Sequence, residues 1–326
     1  MNKILKKFVF FPPVQILRFT SLVLVILFFI LVPLSNWYAN QKIAYNQGRL
    51  VELANGPVAA FIYESLDSFY TIWDDPVKAA TSNNGSLWAY TILGVSLSDP
   101  LGLISELLNS VKFPVKYLLG ALIPFLVTII LGRVFCSWLC PMHVIFSVTK
   151  KVRCAADRLG IPLFNIRIDQ KTRIWVFFIG LVLSYLFGAW VWHFVLPYIT
   201  FTHEIFSIVI FSCFTVGVYF LLVLLLFDFA LAPGEFCRSI CPTGFLLAWI
   251  GRVRLVRLKV DVKKCPPYCI KCKISCPLGL YPKVDSELNS CHLCMLCVNN
   301  CPSQSIKPGL SSLRVFRENP ENRNAL

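Results

Sequence analysis

Twelve of the fourteen cysteines stand in four clusters, each closed by a Cys-Pro step. Two clusters lie near the C-terminus. Cys265, Cys269, Cys272 and Cys276 follow C-x3-C-x2-C-x3-C before Pro277, and Cys291, Cys294, Cys297 and Cys301 follow C-x2-C-x2-C-x3-C before Pro302. The other two are pairs beside apolar runs, Cys136/Cys140 in FCSWLCP and Cys237/Cys241 in FCRSICP. Thiolates at the tail spacing point to [4Fe–4S] clusters, because one loop supplies three sulfurs to a cube and the cysteine before proline ligates the other cube. On that rule Cys265, Cys269, Cys272 and Cys301 hold one cluster, and Cys291, Cys294, Cys297 and Cys276 hold the second. Zinc sites use paired CxxC knuckles, a form these runs lack, and a disulfide framework needs an oxidising compartment. The first run has three residues, Pro266, Pro267 and Tyr268, where two are usual. That insertion either reshapes the ligand loop or takes Cys265 out of it.

The elements that position these thiols are set by composition. The chain of 326 residues is 56% hydrophobic and 15% charged, too apolar for a soluble protein of this length. A ~30 Å hydrocarbon core needs about 20 apolar residues, and four windows of that kind occur: Val14–Leu34, Pro114–Phe135, Ile174–Val195 and Ile205–Leu231. Lys3, Lys6 and Lys7 precede the first, but its apolar run exceeds a signal-peptide core and no small-x-small step follows directly. The expected fold is therefore mainly α. A four-helix transmembrane bundle, residues 1–259, carries a cytoplasmic α+β twin [4Fe–4S] ferredoxin-like domain, residues 260–326.

Charge sets the orientation. Residues 132–173 carry eight Lys/Arg against Asp157 and Asp169, and residues 234–259 carry five against Glu235. Segment 35–113 reverses this, with four basic residues against seven acidic. Basic flanks on alternate loops are the positive-inside pattern. A multi-pass protein of a bacterial inner membrane with both termini cytoplasmic and segment 35–113 outside follows. The net charge of +14 thus marks membrane orientation and lipid contact rather than nucleic acid binding. Segment 35–113 reads as a small helical cap with turns at TIWDDP and TSNNGS; the alternative is a docking surface for an external redox partner.

The two C-x3-C-P pairs form an internal repeat, GRVFCSWLCP against GEFCRSICP, each expected just past the cytoplasmic end of a helix. Four sulfurs surround one centre if those helices are adjacent. A third [4Fe–4S] cluster is the most economical occupant, a dithiol/disulfide pair the next, and buried structural thiols the bland one. No histidine follows directly, so c-type haem attachment is absent. Cys154 and Cys213 lack partners and read as a loop thiol and a small buried apolar residue.

Helix pairs closed by FCxWxCP and CxxxCP, followed by a twin-cubane tail, resemble the NapH family (NapH/MauN-like), related to NosR-type and CcoG-type polyferredoxins. SLSDPLGLI and LLLFDF add to the likeness, which covers about residues 90–305. The resemblance implies a membrane-bound ferredoxin-type quinol dehydrogenase subunit. Its substrate would be menaquinol or ubiquinol, and its electrons would pass through iron–sulfur clusters to a periplasmic reductase system such as nitrate reductase, by way of ferredoxin- or cytochrome-type partners. Cys136, Cys140, Cys237, Cys241 and the eight tail cysteines are the matched positions. The alternative is a NosR/CcoG-like role, in which electrons from cytoplasmic donors flow outward to maintain or mature a metalloenzyme. Quinol oxidation releases two protons and needs a base near the lipid–water boundary. Ionisable groups at membrane depth supply Asp228, Glu235 and His143 as expected proton acceptors. His193 and His203 bracket the outer loop as a quinol site on the opposite face or as haem ligands.

Overall fold

The computed structural model describes residues 13–82, 84–85, 89–92, 95–109, 115–160, 164–169, 171–283 and 290–310. Lys3, Lys6, Lys7 and both expected cytoplasmic termini lie outside these residues. The chain is mainly helical. Helix α1 (Pro13–Ala44) is the one described helix long and apolar enough to cross a membrane. Its far end meets α2 (Gly48–Asn55), α3 (Pro57–Tyr70) and α4 (Pro76–Thr81). There the fully buried Tyr38 donates to Asp67, which also pairs with Lys42 at 2.8 Å, while the Tyr38 ring stacks on Tyr70. This is the helical cap expected for the start of segment 35–113. Its TIWDDP turn ends on Asp75, which caps α4 by accepting from the Lys78 N–H.

The rest of that segment departs from expectation. Strands β1 (Asn84–Gly85), β2 (Ala89–Ile92) and β3 (Val95–Ser98) form an antiparallel sheet, followed by α5 (Pro100–Asn109). Helix α6 (Val115–Leu131) lies directly on β3: a Cβ at Gly120 would come within 2.0 Å of the Ser96 carbonyl, so only glycine allows this approach. The short α7 (Phe135–Trp138) and then α8 (Pro141–Arg158) follow.

The third expected span is shorter than Ile174–Val195. Helix α9 (Thr172–Phe187) stops at Gly188, φ 86°, and the chain continues as a 3-10 turn over Ala189–Phe194. The fourth expected span, Ile205–Leu231, is not one helix but two, α10 (Pro197–Phe211) and α11 (Gly217–Ala230). The break has a local cause. Ser212 adopts φ 52°, and the buried Glu204 carboxylate accepts from the Thr215 backbone N–H at 3.0 Å and from its hydroxyl, folding the chain back so that Gly217 lies against Thr200 and Glu204. At 1.5 Å per residue, α6, α9, α10 and α11 are about 21–26 Å long.

A core of Phe29, Leu101, Met142, Phe146, Trp192 and Leu196 joins α1, α5, α8 and the turn before α10. A helix that is apolar all round needs an apolar surrounding, and the outward faces of α6, α9 and α11 (Leu119, Leu126, Val182, Phe187, Val223, Leu226) are exposed. After α12 (Pro242–Ile250), strand β4 (Val256–Val260) pairs antiparallel with β5 (Ile306–Leu310). The two-stranded tail sheet therefore starts just before residue 260, and the short helices α13 (Lys271–Ser275) and α14 (Leu296–Asn299) lie between its strands.

Candidate iron–sulfur centres

The internal repeat is a repeat of geometry as well as of letters. Cys140 N–H donates to the Phe135 carbonyl at 3.0 Å and Cys241 N–H to the Phe236 carbonyl at 2.8 Å, so each motif closes in a wide i→i+5 turn. Each second cysteine then caps a helix that begins on proline, Pro141 for α8 and Pro242 for α12. Burial comes first, then the neighbouring thiols, in pushing Cys140 and Cys237 well above the ordinary thiol range and Cys241 up to about 12. Cys136 acts on all three and Cys140 on Cys237, so the four sulfurs share one locality.

Arg133 sits at the junction, 1% exposed. Its guanidinium donates to the carbonyls of Cys237 (3.1 Å) and Ser290 (3.2 Å) and lies 4.0 Å from the Cys136 sulfur. A Cβ at Gly244 would come within 2.5 Å of this guanidinium, so glycine is what lets α12 approach it.

The second tail loop is docked on the helices through consecutive backbone carbonyls. Ser290 O accepts from Arg133, Cys291 O from Arg254, His292 O from Ser137, Leu293 O from Trp138, and Cys294 O from both Gln15 and Arg18. Arg173 adds a bond to the Ser290 hydroxyl, and Lys150 reaches the Cys276 carbonyl at 2.8 Å. Loop carbonyls buried at a packed junction must find donors, and here nearly all come from distant elements.

Cys276, Cys291, Cys294 and Cys297 line one cavity with His292 and Met295. Cys276 thus joins the later triplet and not the loop it follows in sequence. Cys265, Cys269 and Cys272 gather around Tyr281, whose hydroxyl donates to the Cys269 carbonyl, and after burial these three thiols are what push its phenol upward. Lys283 pins the inserted stretch by donating to the carbonyls of Pro266 and Pro267, and Tyr268 projects into solvent, 94% exposed. The Cys301 sulfur meets the hydroxyls of Ser303 and Ser305.

The donor chemistry fits anionic clusters. Among the described residues the ion pairs are Lys42–Asp67, Arg238–Glu235 and Lys264–Asp261. Arg18, Arg133 and Lys150 turn toward loop carbonyls, Arg133 also toward the Cys136 sulfur, and Arg173 toward the Ser290 hydroxyl, rather than toward carboxylates. Buried cations call for compensating negative charge, and an iron–sulfur core bound by four thiolates is net negative.

The expected proton acceptors are each held by hydrogen bonds. Asp228 accepts from Thr149 (2.8 Å) and from the Gly234 N–H (2.7 Å), holding the turn that leads to the second motif. Glu235 accepts from Ser239 and Arg238. His143 meets Arg18 at 2.9 Å, and burial with that charge pushes it down to about 3. His193 and His203 pack edge to face at 5.1 Å beside Trp190. Cys154, expected as a loop thiol, lies within α8, and Cys213, expected as a buried apolar residue, is exposed at the break between α10 and α11.

Sequence reasoning missed Asp99. It is 5% exposed and accepts from the Leu101 N–H (2.7 Å) and the Tyr198 hydroxyl (2.9 Å). Tyr198 in turn shares a hydrogen bond with Thr243, two residues past Cys241. Burial pushes Asp99 up to about 6, against the pull of those donors. The available signal was an aspartate inside the apolar phrase SLSDPLGLI, where a helix-capping role for the Asp-Pro step hides any other.

A family described as a 4Fe-4S binding domain matches residues 113–153 and 205–263, the two stretches that carry the C-x3-C-P pairs. The ferredoxin-type protein NapH of Haemophilus influenzae is 30% identical over 284 residues, covering 83% of this chain and 90% of that protein. The methylamine utilization ferredoxin-type protein MauN of Methylorubrum extorquens is 30% identical over 56% of this chain and 61% of its own length. The regulatory protein NosR of Stutzerimonas stutzeri is 30% identical over 52% of this chain but 24% of its own length. No solved structure matches. With repeat, thiol sets and near full-length likeness together, the chain belongs to the NapH ferredoxin-type family of iron–sulfur electron-transfer proteins.

Proposed function

We propose that this protein is a membrane-embedded quinol dehydrogenase subunit that oxidises quinol and passes the electrons through its iron–sulfur clusters to a periplasmic reductase system such as nitrate reductase. The observation that carries this reading is the junction at Arg133, where apolar helices, the four paired thiols and the docked loop of the second tail site meet through one buried side chain. Helix α1, the four shorter apolar helices and the positive-inside charge pattern support a multi-pass chain with the tail in the cytoplasm. Labelling a cysteine placed at Ser82 from outside the cell tests that orientation; protection there would reverse it.

When bound, [4Fe–4S] clusters supply one-electron carriers, three in this reading: one at Cys136, Cys140, Cys237 and Cys241, one at Cys276, Cys291, Cys294 and Cys297, and one at Cys265, Cys269, Cys272 and Cys301. The protein's own residues handle protons and position. Oxidising menaquinol or ubiquinol releases two protons with two electrons. The Asp99 carboxylate is suited to take a proton, because burial raises it to about 6, so that it is ionised at neutral pH yet readily protonated, and Tyr198 and Thr243 lead from it to the neighbourhood of Cys241. Arg18, Arg133 and Lys150 hold positive charge beside the thiol sets.

Anaerobic addition of a reduced quinol analogue to the iron-loaded, purified protein, followed by EPR, tests the proposal. Reduction of the clusters by the analogue is expected; clusters that respond to dithionite but not to the analogue would overturn it. The first tail loop favours a second reading. Tyr268 (94%), Ile274 (67%) and Ile270 (50%) form an exposed apolar rim around it, suited to a soluble redox protein. Electrons would then enter from a cytoplasmic donor and flow outward, and a soluble ferredoxin would reduce the protein faster than the quinol analogue.

A further inference from the structure

Between Cys291 and Cys294 stands a side chain that ligation does not account for. His292 is 3% exposed and lines the cavity it shares with Cys276, Cys291, Cys294 and Cys297. Neither of its ring nitrogens meets a protein donor or acceptor. Its backbone is immobilised, since the carbonyl of Cys291 is held by Arg254, just before β4, and those of His292 and Leu293 by Ser137 and Trp138 of α7. The ring packs edge to face with His143 at 5.1 Å, but the Nε2 of His143 is already engaged by Arg18. Imidazole carries at least one N–H in either charge state, and a buried donor without an acceptor carries a full desolvation penalty. An acceptor belongs in the cavity that His292 lines.

We infer that His292 donates its N–H to a sulfur of the cluster held by Cys276, Cys291, Cys294 and Cys297, and that this bond keeps the potential of that cluster above that of the other tail cluster. The inference rests on the ligand sets proposed above. Hydrogen bonds to cluster sulfurs set potential, because a donor stabilises the extra negative charge of the reduced form. The two tail loops differ at this position. The first loop has Pro266, Pro267 and Tyr268 between its leading cysteines; the prolines have no N–H, and Tyr268 points into solvent. An electron arriving from the paired centre would therefore settle first on the cluster beside His292, the one docked against the helices.

The test uses the full-length, iron-loaded protein in detergent. Redox titration by EPR should give a reduced-to-oxidised ratio about tenfold lower at fixed potential in His292→Leu, a midpoint fall of about 59 mV for a one-electron couple. His292→Gln keeps a side-chain N–H and should recover most of the shift. Pulsed EPR on wild type after deuterium exchange and histidine-selective 15N labelling should show an exchangeable proton and a histidine nitrogen coupled to one tail cluster. An unchanged midpoint with full iron in His292→Leu overturns the inference, as does coupling that survives the substitution. If His292→Leu fails to retain iron, the wild-type spectrum decides: absence of the coupled proton overturns the inference and its presence upholds it. Wild-type protein lacking the tail clusters would instead refute the ligand sets themselves.

Discussion

Replacing Arg133 by methionine keeps most of the buried volume and removes both charge and donors. The guanidinium donates to the carbonyls of Cys237 and Ser290, and Ser290 is 3% exposed. A hydrogen bond from a charged donor contributes about 1.5–3 kcal/mol, so losing two costs about 3–6 kcal/mol. The remaining ties of the loop, from Arg254, Ser137, Trp138, Gln15 and Arg18, leave the fold intact. Only the Ser290 bond ties the loop, so about 1.5–3 kcal/mol of this cost falls on docking, and the undocked population should rise roughly 10- to 10²-fold. Hydrogen–deuterium exchange is the assay: the amides of residues 290–294 should lose protection while those of α1 and α9 keep theirs. The paired centre should also lose stability, since Arg133 lies 4.0 Å from the Cys136 sulfur. Unchanged protection of the loop together with an unchanged iron content would refute the view that this side chain joins the two sites.

Three further outcomes are expected. Cys136→Ser should remove about four irons per chain and the EPR signal of the paired centre while the tail clusters stay reducible by dithionite; an unchanged iron count would assign the motifs to thiol chemistry. Cys294→Ser and Cys301→Ser should each spare a different tail cluster, and loss of the same EPR signal in both would refute the crossed ligand sets. Asp99→Asn should abolish quinol oxidation, and in wild type the rate should fall as pH drops through about 6, where Asp99 becomes protonated. The stability sign is opposite. A carboxyl raised by burial binds more protons folded than unfolded, so stability falls as pH rises from about 4 to about 6, and the asparagine variant should lack that slope in thermal melts.

The C-x3-C-P repeat was legible in the sequence because cysteine spacing is local, and Cys276 lines one cavity with Cys291, Cys294 and Cys297, the thiols with which the Cys-Pro rule groups it. The helix-rich architecture and the cap after α1 were legible for the same reason, through long apolar runs and the Asp75 turn. The break at Ser212–Val216 was not. Its cause is Glu204 reaching eleven residues along to Thr215, and a uniformly apolar window carries no periodic mark of such a contact. The β-sheet over residues 84–98 was hidden because β3 lies under α6, where packing rather than alternation decides the pattern. Arg133 and His292 were visible only as one charge of a basic loop and one spacer of a cysteine motif. Their meaning comes from partners more than a hundred residues away.

The bonds from Gln15 and Arg18 to Cys294 join positions 279 and 276 residues apart. During synthesis the first helix emerges with Gln15 and Arg18 able to bond each other. Arg18 can meet Ser137 and His143 once those are made, but the Cys294 carbonyl that Gln15 and Arg18 share comes only after residue 294 is made. Docking of the loop against α1 therefore cannot precede synthesis of both ends of that contact. Closing a loop of that length has an entropic cost that grows only slowly with distance along the chain, so the delay is one of order and not of equilibrium. A tail that has not formed its second site would leave Gln15 and Arg18, both buried in the finished fold, without the carbonyl of Cys294.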